Sequence, residues 1–121
     1  MSEQRREERK KLMAFVPVYR IRTGTILGYL NDLTLQGAMV IGGHALEKDS
    51  RITLGIEFPG ELEGTDVRRM VLPARVARCV PDEAPGSYQL GFEFIELNPE
   101  QDRLIQALLE RYHFRHKREA E

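Results

Sequence analysis

Two short stretches bring together residue types that recognise ligands. Asn31-Asp32-Leu33-Thr34-Leu35-Gln36-Gly37 presents a carboxylate, a hydroxyl and a bare backbone between the apolar runs Ile26–Leu30 and Ala38–Ile41. Arg5-Arg6-Glu7-Glu8-Arg9 presents three guanidinium groups. An ionised carboxylate only accepts hydrogen bonds, a hydroxyl donates and accepts, and a guanidinium only donates, from a planar fork suited to phosphates. This set suits polar recognition rather than bond making. Each stretch also has a plainer reading. Asp32, Thr34 and Gly37 are residues that hold a strand-to-strand turn, with Gly37 free to take a positive φ. The arginines also suit a solvated, solubilising arm.

Other chemistry finds little support. No Gly-x-Ser-x-Gly elbow occurs, and no glycine-rich loop ends in a phosphate-binding lysine. Cys79 lies on an apolar strand face far from any histidine in sequence, which reads as a buried structural thiol. His44, His113 and His116 have no cysteine cluster beside them, and a structural zinc needs about four ligands. The chain is expected to be no enzyme and to carry no metal or cofactor.

The elements that must position these residues read as strands. Six strand-like runs follow the N-terminal arm: Ala14–Arg22, Thr25–Asp32, Gly37–Ile41, Arg51–Phe58, Arg69–Val80 and Ser87–Glu96. Ile52, Leu54, Ile56 and Phe58 alternate with polar residues, as do Tyr88, Leu90, Phe92 and Phe94, the period of half-buried strands. Pro17 hints at an edge, and Pro73 at an irregular start to the fifth run. The period then changes. Asn98, Pro99 and Gln101 form a helix start, and Leu104, Ile105, Leu108, Leu109 and Tyr112 an apolar stripe. The pattern predicts an all-β, six-stranded antiparallel barrel with a C-terminal α-helix. The expected division is a flexible arm over 1–13, a barrel over 14–97, a helix over 98–114 and a frayed tail over 115–121, all in one domain.

Composition narrows the class. The 121 residues suffice for one domain with a modest core, and 41% apolar with 31% charged residues is an ordinary globular balance. A net charge of −1 argues against binding duplex DNA through many phosphate contacts. No apolar run is long enough to span a bilayer, and the charged N-terminus lacks a signal peptide's apolar segment. A cytoplasmic location without membrane insertion is the expectation, in keeping with a single cysteine.

Order and spacing of the two stretches resemble the PilZ family, bacterial domains that bind the second messenger cyclic di-GMP. That family carries Arg-x-x-x-Arg before its first strand and Asp/Asn-x-Ser/Thr-x-x-Gly some twenty to thirty residues later. Arg5-Arg6-Glu7-Glu8-Arg9 and Asp32-Leu33-Thr34-Leu35-Gln36-Gly37 match both. Gly37-Ala38-Met39-Val40 looks like the family's third strand, Leu72-Pro73-Ala74-Arg75-Val76-Ala77-Arg78 like its fifth, and Tyr88-Gln89-Leu90-Gly91-Phe92-Glu93-Phe94 like its sixth. The departures are small: Thr34 stands where serine is commoner, and Leu35-Gln36 replaces a more polar pair.

The resemblance implies a split-barrel, non-enzymatic receptor for cyclic di-GMP that signals through ligand-driven ordering of the arm to an effector protein, in control of motility, adhesion or exopolysaccharide output. It implies that Arg5, Arg6 and Arg9 meet phosphates and purine faces, that Asp32 meets a guanine edge, that Thr34 gives its hydroxyl, and that Gly37 admits ligand to the backbone. Lys10, Arg75, Arg78 and Gly91 are secondary candidates; Arg75 and Arg78 read more simply as exposed strand arginines than as residues lining the same mouth of the barrel. Some PilZ-like domains are protein-interaction adaptors that bind no nucleotide, though these typically lack the arginines. Single-stranded RNA binding needs exposed aromatic platforms in a basic groove, and this chain has no Trp.

Overall fold

A computed structural model describes residues 11–58 and 68–115. Its elements are β1 (Lys11–Ala14), β2 (Pro17–Arg20), β3 (Ile26–Leu33), β4 (Gly37–Gly42), β5 (Arg51–Glu57), β6 (Arg69–Pro81), β7 (Tyr88–Phe94), α1 (Pro99–Arg111) and β8 (Tyr112–Arg115). Six strands close an antiparallel barrel in the order β2-β3-β4-β7-β6-β5, with β5 pairing back to β2. This is the all-β barrel with a C-terminal helix that the alternation predicts. Ile52, Leu54 and Ile56 of β5, Leu72, Ala74 and Val76 of β6, and Leu90 and Phe92 of β7 are all buried. Each of these side chains except the smaller Ala74 contributes roughly 1.5–3 kcal/mol on burial.

The helix begins as its cap dictates. The Asn98 side chain accepts from the Gln101 N–H at 2.8 Å, and the Gln101 side chain accepts from the Asn98 N–H at 2.8 Å. Gln101 also donates through Nε2 to the Val71 carbonyl at 3.0 Å, which ties the first turn to β6. Ile105 and Leu108 are buried in the barrel's own core cluster. No helix among the described residues is long and apolar enough to cross a membrane.

Both ends of the barrel segment depart from expectation. The helix stops at Arg111 instead of 114: Tyr112 is extended, with φ −135° and ψ 151°. Tyr112 and Phe114 then alternate inward as a strand, and Phe114 packs on Phe58 with ring centroids 6.0 Å apart. Burial of two rings at i, i+2 outweighs one more helical turn. The new strand gives Lys11–Ala14 a partner, so β1 pairs in parallel with β8, Lys11 opposite Tyr112 and Ala14 opposite Arg115. The arm expected over 1–13 is thus strand from Lys11 onward. Expectations for 1–10 and 116–121 fall outside the described residues.

The expected single strand Ala14–Arg22 is divided. Phe15 takes φ +59°, a left-handed conformation that bulky residues avoid, and turns the chain between β1 and β2. Its ring is 56% exposed and meets Tyr29 edge-on. β6 in contrast runs unbroken past Pro73, whose carbonyl accepts from the Ile95 N–H at 2.9 Å.

Candidate functional site

Strict alternation along β3 would send Asp32 inward with Leu30. An extra residue, Asn31, interrupts the register between Leu30↔Val40 and Asp32↔Met39. Asp32 is therefore exposed and Leu33 returns to the core. The same device recurs on β6, where Val76 faces Phe92, Arg78 faces Gly91, and Ala77 is the additional residue. Val76 is buried, Arg78 is exposed, and Cys79 turns back to pack against the core. Bulges commonly re-aim side chains in this way beside binding sites. Here the two carry Asp32 and Arg78 onto the outer face of one sheet.

That face holds a groove of about 380 Å³, lined among others by Asp32, Met39, Arg75, Ala77, Gly91 and Glu93. Met39 stands opposite Gly91, and Gly37 opposite Glu93, across β4 and β7; Arg75 stands opposite Glu93 on β6. Gly91 and Ala77 leave the floor low. A Cβ on Gly91 would lie 3.2 Å from the Arg78 Cβ, so the glycine also makes room for that stem. Neither the Asp32 nor the Arg78 side chain makes a hydrogen bond or ion pair among the described residues.

Thr34 and Gly37 build the turn. The Thr34 hydroxyl accepts from the N–H groups of Gln36 and Gly37, each at 3.1 Å, and donates to the Gly37 carbonyl at 3.3 Å. One donor and two acceptor sites are a hydroxyl's full capacity. The backbone of its own turn thus already occupies the hydroxyl that the resemblance assigns to ligand. Gly37 does not take the positive φ that a turn glycine suggests. A Cβ there would fall 2.0 Å from the Phe92 carbonyl oxygen. Its bare backbone admits the neighbouring strand, and Gly37 is buried while still lining the groove.

Arg75 is the groove's ordered cation. Its Nη1 donates to Asp49 Oδ1 at 2.7 Å and its Nη2 donates to Glu93 Oε1. The hydrogen bond to Glu93, followed by its charge and then Asp49, raises the guanidinium pKa, and partial burial opposes this. The side chain is 35% exposed. Arg5, Arg6, Arg9 and Lys10 lie outside the described residues. Asp32, Thr34, Gly37, Arg75 and Gly91 are brought together, with Arg78 beside them on the Met39–Gly91 row.

Sequence reasoning missed Glu93, Met39 and Asp49. Glu93 reads as the polar half of an alternating strand and Met39 as an ordinary strand residue. Asp49 sits in a loop 26 positions from the arginine it holds. Cys79 is half-buried rather than fully buried, its sulfur 3.5 Å from the Leu46 nitrogen.

No curated protein matches the chain. The family model for the PilZ domain matches residues 3–111, a span that includes the N-terminal arginines, both bulges and the groove. PilZ domains are ligand-binding receptor domains that generally take cyclic di-GMP. With that match and the closed barrel, the chain belongs to the PilZ domain family.

Proposed function

We propose that this protein is a non-enzymatic receptor for cyclic di-GMP, with a binding site made of the barrel groove and Arg5, Arg6 and Arg9. The observation that carries the reading is Asp32: an outward carboxylate, unpaired among the described residues, set in a groove by a dedicated bulge. An ionised carboxylate accepts from the guanine N1–H and N2–H₂ groups and repels phosphate, so a base edge enters here.

Charge assigns the remainder. The groove lining holds two carboxylates, Asp32 and Glu93, against one guanidinium, Arg75. Such a lining does not attract a dianion, so the phosphates need cations from elsewhere. Arg78 supplies one at the groove's side, and the arginine-bearing N-terminal segment supplies the others, with Lys10 as a further candidate. At about 380 Å³ the groove is near the lower end of small-molecule sites, room for one guanosine half of the ligand. The other half then lies against the N-terminal arginines.

Ligand-driven ordering of the arm is the proposed signal. It alters a surface that an effector protein reads, and it shifts that partner only by the difference in its affinity for the two states. Calorimetric titration with cyclic di-GMP tests the reading, with Arg9→Ala and Asp32→Ala as controls. Binding by wild type and weakening by both variants is expected. Absence of binding leaves a PilZ-domain adaptor without nucleotide.

A further inference from the structure

We infer that Arg75 is a fixed reader of the O6 and N7 edge of a guanine in the groove, and that Glu93 and Asp49 are its positioning residues. This rests on the reading of the site as a cyclic di-GMP receptor and names which edge of which base is recognised, and by what.

The clamp is built into the backbone. Glu93 is the cross-strand partner of Arg75 on β7. Asp49 reaches Arg75 from the turn before β5, where it holds φ +73°, a conformation aspartate tolerates better than most residues. The Asp49 N–H donates to the Val76 carbonyl at 2.7 Å, and the Val76 N–H donates to the Ser50 carbonyl at 2.9 Å. The Ser50 hydroxyl closes the turn on the Glu47 carbonyl at 2.6 Å. The acidic turn is thus stitched to the strand that carries Arg75.

The clamp leaves Arg75 able to bind. A guanidinium has five N–H donors, and Asp49 and Glu93 engage two. The side chain has already lost the rotamer freedom that a solvated arginine gives up on binding a ligand. It lines the groove, so its remaining donors are available to a planar ligand there.

The ends of the groove differ in sign. Asp32 on β3 accepts; Arg75 on β6 donates. They are three strand spacings apart across the sheet and two residues apart along β7, about 16 Å between backbones over the sheet surface, a span that the two side chains shorten, with the low floor of Gly91 and Ala77 between them. Guanine matches this polarity: N1–H and N2–H₂ donate on one edge, and O6 and N7 accept on another. A guanidinium bonds that second edge as a bidentate pair. Adenine sets an N6 donor where guanine has O6, and so meets Arg75 with like polarity.

The test is a chemical double-mutant cycle read by titration calorimetry. The ligands are cyclic di-GMP and its analogue with 7-deazaguanine bases, which lacks N7. The proteins are wild type, Arg75→Met, Arg75→Lys and the double variant Glu93→Gln/Asp49→Asn, each checked for folding by thermal melting. Wild type is expected to bind the analogue roughly tenfold more weakly. Arg75→Met and Arg75→Lys are expected to bind cyclic di-GMP more weakly and to lose most of the analogue's penalty. The unclamped double variant keeps Arg75 but shows a smaller penalty. Equal binding of both ligands by wild type, or an unchanged penalty in both Arg75 variants, overturns the role of Arg75. An unchanged penalty in the double variant overturns the positioning roles. If wild type fails to bind cyclic di-GMP at all, the receptor reading itself falls, and this inference with it.

Discussion

Asp32 faces Met39 on the outside of the barrel, although Leu30, two residues earlier on the same strand, is fully buried. One extra residue stands between a core position and a groove-facing one. Deleting Asn31 removes the bulge and sets Asp32 directly after Leu30, so strict alternation keeps Asp32 outward opposite Met39 and Leu33 in the core. The deletion and Asn31→Ala are therefore both expected to cost only about 1 kcal/mol in urea unfolding, and a loss of about 3 kcal/mol or more on deletion would show that Asp32 had turned inward.

Asp32 and Gly37 belong to one motif and are expected to fail differently. Asp32→Ala removes an exposed side chain without a partner among the described residues. Its stability stays within about 0.5 kcal/mol of wild type, and cyclic di-GMP affinity falls roughly tenfold to a hundredfold. Gly37→Ala forces a Cβ to within 2.0 Å of the Phe92 carbonyl oxygen unless β4 and β7 separate. Its expected cost is about 2–3 kcal/mol of stability, seen as a lower unfolding midpoint before any ligand is added.

Thr34 tests whether the motif's hydroxyl is structural. Thr34→Ser keeps all three hydrogen bonds of the turn and is expected to match wild type in stability and binding. Thr34→Val leaves the Gln36 and Gly37 N–H groups without that acceptor and is expected to cost about 1–2 kcal/mol. Paired melting curves and titrations separate the two roles. A Thr34→Val protein of wild-type stability that loses binding would show direct ligand contact instead.

The capping box of α1 sets a separate stability term. Asn98→Ala removes one of the two reciprocal bonds and is expected to cost about 1 kcal/mol, a fall of roughly 4 °C in melting temperature. Ligand affinity is expected to stay unchanged, because Asn98 is not among the residues lining the groove.

Much of this architecture was legible in the residues. The alternation of Ile52, Leu54 and Ile56 marks a strand, and Asn98, Pro99 and Gln101 mark a helix start, because each signal is local. The bulges at Asn31 and Ala77 were not legible, since a bulge is a property of two paired strands. The β1–β8 pair escaped for the same reason: Lys11–Ala14 has no strand signal until Tyr112–Arg115 supplies an edge. Asp32, Thr34 and Gly37 stand along one groove, as their spacing suggested, but two of the three make contacts invisible in sequence. The Thr34 hydroxyl is filled by its own turn, and Gly37 is pressed against the Phe92 carbonyl. Arg75 looked like one strand arginine among several until Asp49 and Glu93 were seen to hold it.

Titration of wild type and Arg9→Ala with cyclic di-GMP decides whether the groove and the N-terminal arginines form one site. Ligand should reach on the order of 50 µM, where a complex of micromolar Kd is fully formed. The expected result is saturable binding by wild type, with a stoichiometry of one or two ligands per chain, and affinity at least about tenfold weaker in Arg9→Ala. No heat with wild type would contradict the receptor reading, and equal binding by the two proteins would remove Arg9 from the site.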